Sequence, residues 1–246
     1  MENAQLIGLS RQMALSRQMD VIANNMANVN TPGFRSESLV FEEVVMPVAE
    51  VQGMTGAGGR LSYVHDPRHF RDFSEGRIVT TGNPLDIALN GRGWLVVETE
   101  GGERYTRDGR LRLDAEGRLV TTSGYPLLGD GGPIVIEPEE TSITIAADGT
   151  VSTSEGPKGR IRVVQFADDA ALTKQGRNLY ASDEVPLPAD NVRIRQGAVE
   201  GSNVEAVREM SRMIEVVRSY VSTSKLLGEA DELQRRAIEQ LGRLPA

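Results

Sequence analysis

Residues 202–221 read Ser202-Asn203-Val204-Glu205-Ala206-Val207-Arg208-Glu209-Met210-Ser211-Arg212-Met213-Ile214-Glu215-Val216-Val217-Arg218-Ser219-Tyr220-Val221, and they open the longest periodic segment of the chain. Val207, Met210, Ile214, Val217 and Val221 keep alternating three- and four-residue spacing, and the stripe then shifts to Leu226, Ala230, Leu233, Ala237 and Leu241. That period predicts a helix of about forty residues within 201–246. Ser202 followed by Glu205 has the pattern of a capping box at its start. Glu209 to Arg212, Glu215 to Arg218, Asp231 to Arg235 and Glu232 to Arg236 place an acid before a base at helical spacing. No short loop returns the chain after this segment, so its only partner within the chain is a helix at the other end.

Such a helix is predicted within residues 1–35. Leu15, Met19, Ile22, Met26 and Val29 follow the same alternation, and Leu6, Leu9 and Met13 form a second stripe on roughly the opposite side. A helix with two apolar faces needs neighbours on both. It ends where Asn28, Val29, Asn30, Thr31, Pro32 and Gly33 supply turn formers and a proline that cannot extend the ladder. Asn24, Asn25, Asn28 and Asn30 crowd this end, where asparagine is a mediocre helix former. Amides both donate and accept, so such a cluster suits a buried interface better than a solvated surface. The expectation is that the two ends meet as a coiled coil.

Between them the pattern changes twice. Residues 36–74 carry Pro47, Gly53, Gly56, Gly58 and Gly59 with no sustained period and read as an extended connector. From 75 to 200, short β-branched runs alternate with turns at Asp108-Gly109, Glu116-Gly117, Asp130-Gly131 and Asp148-Gly149. Trp94 to Val97, Leu119 to Thr122, Ile143 to Ala146 and Ile161 to Phe166 are the clearest strands of a mainly antiparallel β domain. The predicted class is α+β: terminal helices forming a coiled-coil-like domain, with a β domain inserted between them.

The 246 residues carry a net charge of −8 and have a pI near 5.0, a balance that excludes a general phosphate-binding surface and hence nucleic acid as a partner. Residues 1–35 sum to +1 and 202–246 to zero, leaving −9 on the middle. Neutral ends suit close packing between subunits; the centre is a solvated acidic body. No run approaches the roughly 20 apolar residues of a membrane span, and Arg11, Arg17 and Asp20 interrupt any signal-peptide core.

Little chemistry is legible. The chain has no cysteine, which removes thiol nucleophiles and thiolate metal sites. His65 and His69 are separated by Pro67 and do not share a regular helical face, so no metal site is expected there. Gly91 and Gly93 precede a strand and lack a third glycine, so they form a turn and not a dinucleotide loop. No serine lies in a nucleophile elbow. Neither catalysis nor a cofactor is expected.

Asp20-Val21-Ile22-Ala23-Asn24-Asn25-Met26-Ala27-Asn28-Val29-Asn30-Thr31-Pro32-Gly33-Phe34 resembles the N-terminal signature of the flagellar rod and hook axial proteins. Thr81-Gly82-Asn83-Pro84-Leu85-Asp86-Ile87-Ala88-Leu89, Tyr105-Thr106-Arg107-Asp108-Gly109, and Gly197 through Val204 resemble the middle and closing signatures of the same family. The opening residues Met1-Glu2-Asn3-Ala4 look more like a proximal than a distal rod member. The resemblance implies a non-enzymatic axial subunit of the basal-body rod in the periplasmic space, packed against other rod proteins and copies of itself. It also implies export through the flagellar secretion apparatus, without membrane insertion. The implied assembly surface comprises Leu15, Met19, Ile22, Asn24, Asn25, Met26, Asn28, Val29, Asn30 and Phe34 at one end. At the other it comprises Val207, Met210, Ile214, Val217, Val221, Leu226 and Leu233. A distal rod subunit is the alternative within the family, and an unrelated β-rich adhesin with helical stalks the alternative outside it.

Overall fold

Apolar residues at helical spacing, with no internal proline and a single glycine at Gly8, give a 26-residue helix α1, Glu2–Ala27, in the computed structural model, which describes residues 2–47, 60–189 and 191–241. The equivalent segment at the other end is the 36-residue helix α2, Ala206–Leu241. Between them lie short strands, mainly antiparallel, so the class is α+β as expected. Gly53, Gly56, Gly58 and Gly59 of the expected connector lie outside the described residues.

Two compact units are formed. The first comprises Met1–Met26, Glu37–Phe70 and Glu205–Ala246, and the second Ala27–Ser36 and Arg71–Val204.

In the first unit α1 and α2 run antiparallel, because Gly8 lies under the Leu227 side chain near one end while Asn25 bonds Glu209 at the other. The covered positions of α2 include Glu209, Met213, Val216, Tyr220, Thr223, Leu227, Ala230 and Gln234, again at alternating four- and three-residue spacing. Those of α1 include Gly8, Gln12, Leu15, Met19, Ile22 and Met26. The stripe Val207, Met210, Ile214, Val217 and Val221 is therefore not the seam with α1; it lies on the exposed surface of α2. The capping box does not form either. Ser202 Oγ accepts the Val204 N–H at 3.2 Å, and the helical ladder starts with Glu209 N–H donating to Glu205 C=O at 3.0 Å. Strands β1, Glu37–Pro47, and β2, Arg60–Arg71, pair with each other where the sequence reads as extended.

The second unit begins with β3, Ile78–Thr80, β4, Ile87–Asn90, β5, Trp94–Thr99, and β6, Gly102–Thr106. Its largest sheet has six strands in the order Thr173–Gly176, Leu179–Ala181, β6, β5, Val163–Gln165 and Leu187–Pro188. The unbroken apolar run of β5 is buried on both faces, which is why it does not alternate with polar residues. Leu95 and Val97 enter one hydrophobic cluster with Ile87, Leu111, Leu119, Leu127 and Ile194. Trp94 and Val96 enter another with Tyr105, Phe166 and Tyr180. The last two strands close the unit on the first two: Arg193–Gln196 pairs with β4 and Ala198–Glu200 with β3.

Three of the four acidic-glycine turns join paired strands, but Asp108-Gly109 does not. The chain there leaves β6 for a different sheet, and Gly109 C=O accepts the Ile87 N–H at 2.9 Å. Because the other sheets and both clusters lie within 71–204, a fragment of those residues is expected to give a β-type circular dichroism spectrum and a single cooperative melt. A helical spectrum or a non-cooperative melt would contradict this.

Candidate assembly interface

The asparagine cluster resolves into one structural residue and three peripheral ones. Asn25 is 1% exposed. Its amide behaves as a substitute peptide group for the start of β1: Nδ2–H donates to Glu37 C=O at 2.7 Å, and Oδ1 accepts the Glu37 N–H at 3.0 Å. Nδ2 also donates to Glu209 Oε2 at 3.2 Å, so one side chain joins α1, β1 and α2. Glu209 is buried as well, and Arg212 Nη1 donates to its other oxygen at 2.9 Å. Asn28 Oδ1 accepts from Thr31 Oγ1 at 3.1 Å, whereas Asn24 and Asn30 lie on the exposed surface.

Leucine at position 25 would leave two backbone groups and a buried carboxylate without these partners. Asn25→Leu is therefore expected to lower stability by about 2–3 kcal/mol, read from urea unfolding followed by the helical circular dichroism signal. A change below about 0.5 kcal/mol would show the junction to be incidental.

The remaining site residues fall into two groups. Leu15, Met19, Ile22, Met26 and Val29 are at least partly covered, with Ile22 fully buried. Val207, Met210, Ile214, Val217, Val221, Leu226 and Leu233 are exposed, as are Leu6, Leu9 and Met13 of the second α1 stripe. One face of each helix is used internally, and the other presents large apolar side chains to solvent. A contiguous apolar stripe on a long helix is the signature of a surface completed by other helices.

Phe34 belongs to the second unit. It is buried there, with Lys174 Nζ 4.5 Å from its ring centroid. The preceding residues are held by backbone: Gly33 N–H donates to Glu200 C=O at 2.8 Å, and Asn178 Nδ2 donates to Pro32 C=O at 3.1 Å. Gly33 adopts φ +69°, and a Cβ there would overlap the backbone of Arg107 and Asp108. The N-terminal and middle signatures thus meet at a point where no side chain fits. Beside it, Glu200 Oε1 accepts from Arg35 Nη2 at 2.7 Å and Oε2 from Arg107 Nη1 at 3.1 Å. All three side chains are buried. Burial lowers the Arg107 pKa, and the Glu200 charge opposes that shift.

Among the described residues, no group of three or more His, Asp or Glu side chains could hold a metal ion. Nor is any helix there long and apolar enough to cross a membrane.

Three family models match the chain, and the N-terminal and closing signatures fall inside two of them. Residues 6–35 match the family described as flagella basal body rod protein, residues 88–153 the flagellar hook protein FlgE/F/G D1 domain, and residues 195–240 the flagellar basal body rod FlgEFG protein C-terminal. A relative from Caulobacter vibrioides, the flagellar basal-body rod protein FlgF, is 41% identical over 99% of this chain and 100% of its own. The chain belongs to the flagellar basal-body rod protein family. The rod protein is also 33% identical to FlgF of Mesorhizobium japonicum, over 98% of this chain and 99% of that one. FlgG of Bacillus subtilis is 32% identical over 94% and 96% of the two chains. Of these relatives the FlgF proteins are the more similar, and the rod protein is a structural subunit of the basal-body rod and resides there.

Sequence reasoning missed Arg35, Arg107, Glu200 and Asn178 of this rod protein. Their partners lie up to 165 residues away, and no local period marks them. The available signals were that Arg35 directly follows the turn residues Thr31 to Phe34 and that Arg107 and Glu200 lie within the middle and closing signatures.

Proposed function

We propose that this rod subunit occupies the proximal rod and transmits torque there by lateral helix packing. The exposed α2 stripe, Val207, Met210, Ile214, Val217, Val221, Leu226 and Leu233, is the surface against neighbouring subunits, copies of itself included. The single observation that carries this is that α1 is covered by a different face of α2, which leaves the stripe exposed and without a partner among the described residues. Nearly neutral ends support dense packing, and many repeated apolar contacts resist shear between subunits. The residues of 1–35 and 201–246 supply these contacts, and 75–200 form the acidic β-rich middle. Export through the flagellar secretion apparatus in an unfolded form accords with a cysteine-free chain. Catalysis has no part in this role.

The test is deletion of the gene, followed by complementation with an epitope-labelled copy and imaging of purified basal bodies. Label on the membrane-proximal segment of the rod, together with loss of the rod beyond that point in the deletion, is the expected result. Complete rods in the deletion strain, or label on the distal segment, would overturn the proximal reading.

A further inference from the structure

The Arg35–Glu200–Arg107 cluster is unbalanced. Two guanidinium groups share one carboxylate, and Arg35 Nε, Arg35 Nη1 and Arg107 Nε have no hydrogen-bond partner among the described residues. Glu75 and Asp169 act on Arg107 only at longer range. Glu200 meanwhile accepts a third donor, the Gly76 N–H, at 2.9 Å. All the compensation therefore passes through one side chain. Removing an arginine would leave a one-to-one pair, whereas neutralising the carboxylate would leave two buried cations.

The segment this cluster holds is otherwise fixed by a small number of polar contacts. Ser36 N–H donates to Asn203 Oδ1 at 2.7 Å, Asp72 N–H donates to Ser36 C=O at 3.0 Å, and Glu200 and Asn178 hold Gly33 and Pro32 as described above. Neither hydrophobic cluster of the second unit includes a residue of 27–36. Residues 32–35 are buried, and Phe34 is the one large apolar side chain among them.

We infer that residues 27–36 are a latch: a cooperative element separable from the rest of its unit and held closed by the Glu200 carboxylate. The latch opens without unfolding the sheet, because β5 and its clusters do not depend on it. Arg35 contributes to where the segment docks, and Glu200 determines whether it docks.

Hydrogen exchange on the full-length chain tests this. Glu200→Gln is expected to accelerate exchange of amides in 31–36 by about 30-fold or more while leaving those of β5 within about threefold. Arg35→Met is expected to leave both regions within about threefold, since the Arg107–Glu200 pair remains. Glu200→Asp, which keeps the charge, is expected to recover most of the protection in 31–36. The latch is overturned if Glu200→Gln accelerates β5 in parallel, fails to fold, or leaves 31–36 unchanged. It is also overturned if Arg35→Met releases 31–36 as fully as Glu200→Gln does.

Discussion

A strain carrying Ile214→Asp is expected to produce and export the subunit normally, to leave it out of the rod, and to be non-motile. Ile214 is 52% exposed in the isolated chain, so a carboxylate there remains hydrated and the monomer keeps its stability. In the rod the same position is to be covered by neighbouring helices. The charge must then be desolvated or displaced, costing on the order of several kcal/mol at each interface. Repetition around the tube multiplies that penalty. The control substitution must be chosen with care. Arg212 lies on another face but bonds the buried Glu209, so its loss would disturb the Asn25 junction. Arg208, exposed and 3.6 Å from Glu205, is the better neutral site, and Arg208→Ala should be motile. Motility assays and blots of purified basal bodies measure both. Normal incorporation of Ile214→Asp would remove α2 from its assigned role.

Gly109→Ala is expected to destabilise the β unit by about 4 kcal/mol or more, the largest effect predicted for a single methyl group in this chain. A Cβ at 109 would overlap the Ile87 carbonyl oxygen, which is backbone and cannot move aside as a side-chain tip can. Ile87 N–H is simultaneously bonded to Gly109 C=O at 2.9 Å, and Ile87 belongs to the main hydrophobic cluster. Relief of the overlap therefore opens a backbone bond and shifts a core residue. The drop in melting temperature of the fragment 71–204 would measure this. A shift of less than about 2 °C would mean that the approach relaxes at little cost.

The legible parts of this fold are those in which function is written at short range. Helix period sets α1 and α2, the run Trp94 to Val97 sets the central strand, and three acidic-glycine pairs set turns between paired strands. Asp108-Gly109 has the same local chemistry as those three, yet its role is set by the strand it meets, which no turn signature encodes. The α2 stripe was visible as a period but not as a surface. Period alone cannot say which of two faces the intramolecular partner takes, and α1 takes the one lined by Met213, Val216, Tyr220, Thr223 and Leu227. Ser202 and Glu205 satisfy the capping pattern, but Ser202 is engaged two residues ahead and the helix starts later. Glu200 lies within the closing signature, but nothing in the sequence pairs it with Arg35, 165 residues away.

The absence of cysteine permits one direct measurement of the α2 assignment, because Ile214→Cys introduces a unique thiol. Reaction of that thiol with a bulky maleimide is to be compared between the purified monomer and intact basal bodies. If the exposed stripe of α2 is the packing surface between rod subunits, the monomer will be labelled rapidly and the assembled rod will be protected. Equal labelling in the monomer and in the rod would contradict the assignment.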